Sequence, residues 1–318
     1  MLYTRRDLGK LALAAIPAGT LLETAFLGAQ GKPNSKVNGV QIGLNVPYSF
    51  GGNTMSGDDV LKNCVQLGIS GVELRSQPVE AFMGVPAALV AGSGRGRGAQ
   101  TPEQDAARTA ATEDLRKWRA SASMDKVKAF RKKYEDAGVL IEIVKFDGIF
   151  GFTDEVLDYA FTMTKNLGAH AISCEISNPP DETKRLGQFA DKHKIMVGYH
   201  GHTATTPAHW EQAFSYAKYN GANLDLGHFF SGNKTSPIPF LKQYHDRITH
   251  IHVKDKTIDD KNVPFGEGGT PIKEALQTIR DNKWNIQATI EFEYPVPAGS
   301  DRMTEIAKCV KYCREALA

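Results

Sequence analysis

The sequence has 318 residues, a formal net charge of +2 and 41% apolar residues. A (β/α)8 barrel of the usual size fits this length once an N-terminal segment is set aside. The near-neutral charge and the scattered basic residues give no reason to expect nucleic acid or an acidic membrane surface as a partner. The four cysteines lack paired zinc-type spacing, so we interpret them as small buried side chains.

Residues 1–30 are interpreted as a targeting peptide. Residues 4–10, TRRDLGK, resemble the twin-arginine export signal, and the apolar run 11–22 that follows is too short to span a bilayer. Cleavage near residues 28–29 would leave a periplasmic protein with no membrane anchor. The twin-arginine route carries folded proteins, often with a cofactor already in place. A protein that binds a metal before export is compatible with this route.

From residue 36 onward, strand-like and helix-like segments alternate, as is typical of a parallel sheet with crossover helices. The predicted strands are 40–45, 71–75, 139–146, 169–176, 195–201, 222–226, 247–254 and 286–293. The predicted helices are 57–67, 124–137, 153–166, 181–193, 207–219, 238–244, 271–281 and 301–317. Gly68, Gly138, Gly168 and Gly221 suit left-handed helix caps. The pattern predicts an α/β fold, a single-domain TIM barrel over residues 36–318, with its active site at the carboxyl ends of the strands.

The connection after the second strand, about residues 77–123, is the one irregularity. Its centre, residues 91–98, reads AGSGRGRG and predicts a mobile loop that could act as a lid. Residues 102–121 are rich in Ala and Glu and predict a helix. Gly-Arg repeats can contact nucleic acid, but we interpret this one as part of an exposed insertion beside the second strand.

Five consecutive predicted strands end in side chains that bind metals or transfer protons. Alternate residues of a strand share a face, so His250, His252 and Lys254 point one way while Ile251 and Val253 point the other, as in a strand that lines a polar cavity. Corresponding positions on strands four to eight carry the candidate metal ligands Glu175, His200, Asp225, His252 and Glu291. This mixed set suits Mn, Zn, Co or Fe better than Ca, and Mg is also compatible. The alternative is a group of hydrogen-bonded polar residues that plugs the barrel mouth.

At these residues the sequence resembles the xylose-isomerase-like TIM barrels, a family of sugar isomerases and epimerases, sugar dehydratases and an AP-endonuclease branch. The resemblance covers roughly residues 40–318 and rests on the stretches 224–228 (LDLGH), 250–255 (HIHVKD), 264–268 (PFGEG) and 289–293 (TIEFE). It implies that Asp225, His252 and Glu291 bind the metal. The family's fifth strand usually supplies a glutamate as fourth ligand, whereas here that position carries His200. Either His200 binds the metal or Glu175 reaches across from the fourth strand.

The AP-endonuclease branch needs an Asp-x-His before the Gly-Glu-Gly turn for its extra zinc ions. The matching positions read Asp260, Lys261 and Asn262, and histidines are missing from the ends of the second and third predicted strands. The sequence therefore argues against DNA repair and against a nucleic-acid partner.

The candidates for proton transfer lie beside the metal ligands. A divalent ion on a ketone or vicinal hydroxyl oxygen stabilises the enediolate formed when a neighbouring C–H proton is removed, and a carboxylate or imidazole must act as base. Candidate bases are Glu293, His202, His228 and, if it is not a ligand, Glu175. By family resemblance, His228 contacts the sugar. Lys254 could hold a substrate oxygen or offset the carboxylates, and the deeper His250 could orient a ligand.

Export argues against phosphorylated sugars, so we expect a non-phosphorylated sugar or keto-glycoside as the substrate. Enolisation can end in an epimer, in an aldose–ketose isomer, or in elimination, as in the family's 3-keto-glycoside lyases. We expect a metal-dependent sugar isomerase or epimerase, with the lyase as the alternative. The hypothesis from another class is a non-catalytic exported sugar-binding protein. The sequence leaves the oligomeric state open, a homo-oligomer included.

Overall fold

The computed structural model describes residues 31–52, 54–93 and 101–318. The predicted targeting peptide, residues 1–30, and residues 94–98 of the predicted Gly-Arg loop lie outside the described residues.

Eight parallel strands in the described residues close into a barrel, which confirms the predicted TIM barrel. They are β1 Val40–Val46, β2 Gly71–Arg75, β3 Leu140–Lys145, β4 Ala171–Glu175, β5 Met196–His200, β6 Asn220–Asp225, β7 Ile248–Val253 and β8 Gln287–Ile290. Each strand pairs with the next, and β8 pairs with β1 to close the ring. Lys36–Val37 adds an antiparallel pair to β1, and Asp255–Lys256 pairs with Asn262–Val263 just beyond β7.

The described residues contain twelve α-helices. They are α1 Gly57–Gln66, α2 Ser76–Met83, α3 Ala87–Ser93, α4 Pro102–Ser121, α5 Met124–Asp136, α6 Asp154–Leu167, α7 Pro180–His193, α8 Pro207–Tyr216, α9 Leu226–Asn233, α10 Ile238–Gln243, α11 Ile272–Asn282 and α12 Arg302–Leu317. Short 3-10 helices span Tyr48–Phe50 and Ile149–Gly151. Within the described part of the chain, no helix is both long and apolar enough to cross a bilayer.

Alternation along each strand divides the barrel into a polar interior and an apolar layer under the helices. On β7, His250 and His252 contact groups inside the barrel, whereas Ile251 and Val253 belong to the hydrophobic core. All four side chains are fully buried. The interior at the carboxyl ends of the strands is therefore where ionisable groups collect.

Three of the four predicted glycine caps have the left-handed conformation, and the fourth prediction was wrong. Gly68, Gly138 and Gly168 have φ of 69°, 83° and 81°. Gly221 instead lies in β6, because α8 ends earlier, at Tyr216. A Cβ at Gly221 would lie 2.4 Å from the carbonyl oxygen of Arg247, so close strand packing is what requires glycine there.

A buried ion pair holds the two ends of the insertion after β2 together. The predicted helix 102–121 is confirmed as α4, which begins with a capping box of Thr101 and Gln104. Near its end, Arg119 donates from Nε and Nη2 to the two carboxylate oxygens of Glu80, at 2.8 and 3.1 Å. Glu80 lies on α2 with 2% of its side chain exposed, and Tyr159 also donates to it. This helix is therefore fixed against the barrel wall.

Candidate metal centre and active site

Four side chains from neighbouring strands converge at the barrel mouth. His200 and Asp225 end β5 and β6, His252 lies on β7, and Glu291 directly follows β8. Each residue offers one nitrogen or oxygen atom, and these four atoms all lie within 4.8 Å of one another. The oxygen Oδ2 of Asp225 is 3.3 Å from Nε2 of His200 and 3.7 Å from Nδ1 of His252. We call these four residues the donor set.

The donor set fits a divalent transition metal. Two imidazole nitrogens and two carboxylate oxygens are ligands that Mn, Fe, Co and Zn accept, and four is a common number of protein ligands for them. Burial would raise the pKa of Asp225, but Lys254, His228 and neighbouring histidines hold it well below its usual value. Burial would also raise the pKa of Glu291, but His252 and Lys254 hold it well below its usual value. Both carboxylates are therefore anionic, as metal ligation requires.

Glu175 lies behind His200, on the far side of its ring from the other donors. Nε2 of His200 faces Asp225, while its Nδ1 is 3.1 Å from Oε2 of Glu175. The buried Lys145 donates to Oε1 of Glu175 at 2.6 Å. A carboxylate that accepts from Nδ1–H leaves the Nε2 lone pair directed at the donor set. The geometry therefore groups His200 with Asp225, His252 and Glu291, and it gives Glu175 the place of an orienting partner.

The ammonium group of Lys254 lies among three carboxylates. Its Nζ is 3.1 Å from Oδ2 of Asp225, 2.6 Å from Oε2 of Glu291 and 2.7 Å from Oε2 of Glu293. Burial opposes the charge of Lys254, but these carboxylates raise its pKa well above the usual value. Lys254 therefore supplies a permanent positive charge at the edge of the donor set.

Glu293 lies between Lys254 and a solvent-accessible cleft. Its Oε1 accepts a 2.8 Å hydrogen bond from the hydroxyl of Tyr48, which comes from the turn after β1. The side chain of Glu293 is 20% exposed, whereas that of Glu291 is 4% exposed. The cleft has a volume of about 470 Å³, and its lining includes Tyr48, Asn262, Phe292 and Arg302. A substrate in the cleft would reach Glu293 directly.

His202 and His228 lie at the mouth on the β5 and β6 side. Nε2 of His202 is 2.6 Å from Oε2 of Glu175, which raises the pKa of His202. Burial, with help from Lys254 and Lys256, lowers the pKa of His228 to about 4, so its imidazole is neutral at pH 7. Thr203 lies 2.9 Å from Nδ1 of His228, and the two histidine rings are 5.0 Å apart.

The PFGEG motif forms a turn that Asp255 holds at the barrel mouth. The buried Asp255 carboxylate accepts hydrogen bonds from the backbone N–H groups of Gly266, Gly268 and Thr270, at 2.8, 3.0 and 3.2 Å. A Cβ at Gly268 would lie 2.2 Å from Oδ1 of Asp255, so only glycine allows this approach. The motif therefore shapes the rim next to Asn262 and the cleft.

Sequence reasoning missed several polar residues that contact the site. Asn45 donates to Oε1 of Glu291 at 2.7 Å, and Glu73 lies 2.5 Å from Nε2 of His252. Tyr48, Thr203 and Lys145 were also missed. Asn45 and Glu73 carry one available signal, since each is a polar residue between two apolar neighbours in a strand, VQIGLNV or GVELR. Both side chains are fully buried.

The sequence profile described as Xylose isomerase-like TIM barrel matches residues 61–315. The chain belongs to this family. Its similarity to the inosose dehydratase of Clostridium tetani (strain Massachusetts / E88) is 27% identity over 158 aligned residues, with 42% of this chain and 52% of that protein covered. The match thus spans about half the length of that curated relative.

Solved structures share the xylose isomerase-like fold at low identity. A probable 3-DHS dehydratase from Bacillus anthracis has a TM-score of 0.59 at 14% identity, with 86% of this chain and 99% of that chain covered. The 3-keto-D-glucoside 4-epimerase from E. coli has a TM-score of 0.56 at 12% identity, with 87% of this chain and 99% of that chain covered. The D-psicose 3-epimerase from Clostridium cellulolyticum H10 has a TM-score of 0.57 at 9% identity, with 87% of this chain and 99% of that chain covered. At these identities the likeness shows the fold alone.

Ionisable groups flank the donor set on opposite sides of this xylose isomerase-like barrel. Glu175 ends β4 and Glu293 follows β8, and these strands lie four steps apart in either direction around the closed ring. His202 hydrogen-bonds to Glu175, and Lys254 to Glu293. A molecule bound over the donor set would have ionisable groups on each side.

Proposed function

We propose that the protein is a metal-dependent enzyme that removes a proton next to the carbonyl of a non-phosphorylated sugar and so epimerises or isomerises it. The observation that carries the proposal is the buried donor set with Glu293 on one side and the His202–Glu175 pair on the other. Sugar epimerases and an inosose dehydratase among its relatives support a small-molecule sugar as substrate. When bound, the divalent ion supplies a Lewis acid for the charge that develops on the substrate oxygen.

In this proposal Glu293 accepts the proton from carbon. Its hydrogen bonds from Tyr48 and Lys254 fix the carboxylate at the edge of the cleft. His202, whose pKa is raised by Glu175, delivers a proton from the opposite side. The neutral His228 offers a hydrogen bond to a substrate hydroxyl. Removal on one side and delivery on the other is what inversion at a single carbon requires.

One observation favours 3-keto-glycoside elimination as the second candidate. The cleft of about 470 Å³ extends from Glu293 past Tyr48 and Asn262 to Arg302. This space would hold the aglycone of a glycoside whose sugar ring lies over the donor set. A non-catalytic sugar-binding protein would need the donors but no accessible base, so Glu293 and His202 argue against it.

The test is an incubation of metal-replete protein in D₂O with a 3-keto-glucoside and, separately, with a panel of free ketoses. Mass spectrometry and NMR would detect solvent deuterium in an intact ketose or its epimer if the main proposal holds. Release of the aglycone with an unsaturated keto-sugar would establish the lyase. Glu293→Gln is the matched control, because it keeps the size of the side chain and removes the base. If sugar binds to the metal-loaded protein and neither reaction occurs, the protein is a binding protein.

A further inference from the structure

A buried carboxylate lies beneath the donor set and outside it. Glu73, at the centre of β2, is fully buried on a strand that contributes no member of the donor set. Its Oε2 is 2.5 Å from Nε2 of His252 and 3.5 Å from Nε2 of His250. Burying an anion is costly unless it is paired, so this position calls for a physical reason.

The two nitrogens of His252 face in opposite directions. Nδ1 lies 3.2 Å from Oε2 of Glu291 and 3.7 Å from Oδ2 of Asp225. Nε2 lies 2.5 Å from Oε2 of Glu73 and 3.0 Å from the side-chain amide nitrogen of Asn223, so the carboxylate is its shorter contact. A neutral imidazole carries one N–H. A carboxylate at Nε2 holds that hydrogen there and leaves the Nδ1 lone pair directed at the other donors.

His250 does not compete for this carboxylate. The hydroxyl of Thr249 lies 3.1 Å from the carbonyl oxygen of Ala222 and 2.8 Å from Nδ1 of His250. Since a hydroxyl has one proton, both contacts are made when Thr249 donates to the carbonyl and His250 carries its hydrogen on Nδ1. Nε2 of His250 then has no hydrogen to give to Glu73, and in the described structure it has no hydrogen-bond partner. The short contact of Glu73 is therefore with His252.

We infer that Glu73 is a positioning residue that fixes the tautomer and ring orientation of His252 and thereby sets the metal affinity of the donor set. The inference rests on the proposed function, because it requires that the donor set binds a divalent ion. The negative charge at Nε2 makes Nδ1 a more basic ligand. Loss of such a partner typically weakens metal binding by about 10–100-fold.

The experiment compares the full-length wild type with Glu73→Gln, which keeps the side-chain shape and an acceptor oxygen but removes the charge. Zn²⁺ dissociation constants are measured by competition with a chelator, and the visible spectrum of the Co²⁺-loaded protein reports ligand geometry. We expect Glu73→Gln to bind Zn²⁺ at least ~10-fold more weakly, with an altered Co²⁺ spectrum. Thr289→Val is the matched control, because Thr289 is a fully buried β8 residue whose hydroxyl accepts a hydrogen bond from Gln287.

The possible outcomes are distinct. If the wild type binds no Zn²⁺, or binds it equally well after Asp225→Asn, the proposed metal site is wrong. If the wild type binds Zn²⁺ through the donor set and Glu73→Gln matches it in affinity and spectrum, the inference about Glu73 is overturned. Should Glu73→Gln fail to fold, ¹⁵N NMR of the Zn²⁺-loaded wild type decides. Hydrogen on Nε2 of His252 supports the inference, and hydrogen on Nδ1 overturns it.

Discussion

At the scale of single residues, one side chain joins the structure of the site to its chemistry. Oδ1 of Asp225 accepts the backbone N–H of His228 at 2.8 Å and so caps α9, while Oδ2 faces His200 and Lys254. An N-cap residue bonds to the backbone two or three positions later, so the spacing from Asp225 to His228 in LDLGH is that of a capped helix start. The carboxylate of Asp225 is therefore itself a candidate ligand, and it also positions His228, the candidate sugar contact.

The prediction for single residues concerns competition between Lys254 and a bound metal. Its ammonium group and a bound metal are both cations beside the same oxygens of Asp225 and Glu291. Two unit charges about 4 Å apart repel by about 4 kcal/mol at an effective dielectric constant of about 20. We expect Lys254→Met to bind Mn²⁺ or Zn²⁺ at least ~10-fold more tightly in isothermal titration calorimetry, while turnover falls because Glu293 loses its partner.

The matched control is Lys256→Met. Lys256 is also buried, but it pairs with Asp260 at 2.8 Å, away from the donor set, so its loss should leave metal affinity unchanged. Unchanged or weaker metal binding by Lys254→Met would show that Lys254 does not compete with the metal.

At the scale of elements, the insertion after β2 depends on α4 being held to α2. Arg119 and Glu80 form a two-point ion pair with 12% and 2% of their side chains exposed. A bidentate, largely dehydrated pair of this kind is costly to break from one side, because the remaining charge stays buried.

We predict that Arg119→Met lowers the free energy of unfolding by about 3–5 kcal/mol, measured by urea denaturation. The double variant Glu80→Gln with Arg119→Met should recover most of this loss, since the buried charge is then gone. Arg108→Met is the control, because Arg108 forms an exposed pair with Asp105 on the same helix and should change stability by no more than about 0.5 kcal/mol. An equal effect of Arg108→Met and Arg119→Met would contradict this account.

At the scale of the whole molecule, closure of the eight-stranded ring assembles the site. The donor set comes from β5 to β8, Glu73 from β2 and Tyr48 from the turn after β1, so only the complete barrel unites them. A protein whose site exists only when folded suits an export route that carries folded proteins. We therefore propose that residues 1–30 direct export by the twin-arginine route.

We predict that replacing Arg5 and Arg6 together with lysine retains the full-length protein in the cytoplasm, because the paired arginines are the feature that such signals present. Cell fractionation followed by immunoblotting measures the distribution. Lys32→Arg serves as a control substitution outside the signal. Equal periplasmic amounts of the wild type and the double variant would remove the proposal of twin-arginine export.

The sequence by itself determined the fold, and it predicted a candidate site at the carboxyl ends of the strands. Alternation of strand and helix patterns, and the two-residue period that separates His250 and His252 from Ile251, are local properties, and the structure confirms the barrel they predict. The bounds of individual elements were predicted less well: β8 ends at Ile290, three residues before the predicted end, and α2, α3 and α9 were not predicted. The helix α3 includes residues 91–93, the first three of the predicted loop 91–98. The helices α2 and α9 begin directly at strand ends, where the local pattern still indicates a strand.

Only the tertiary structure decided which side chains face one another. The sequence left His200 and Glu175 as equal candidates for the fourth ligand, because both end adjacent strands. The folded ring directs Nε2 of His200 toward Asp225 and places Glu175 behind it. The contact of Glu73 was equally unpredictable from the sequence, because Glu73 lies 179 residues from His252 along the chain while its Oε2 is 2.5 Å from Nε2 of His252. Such contacts depend on how the strands close around the barrel axis, which no local pattern records.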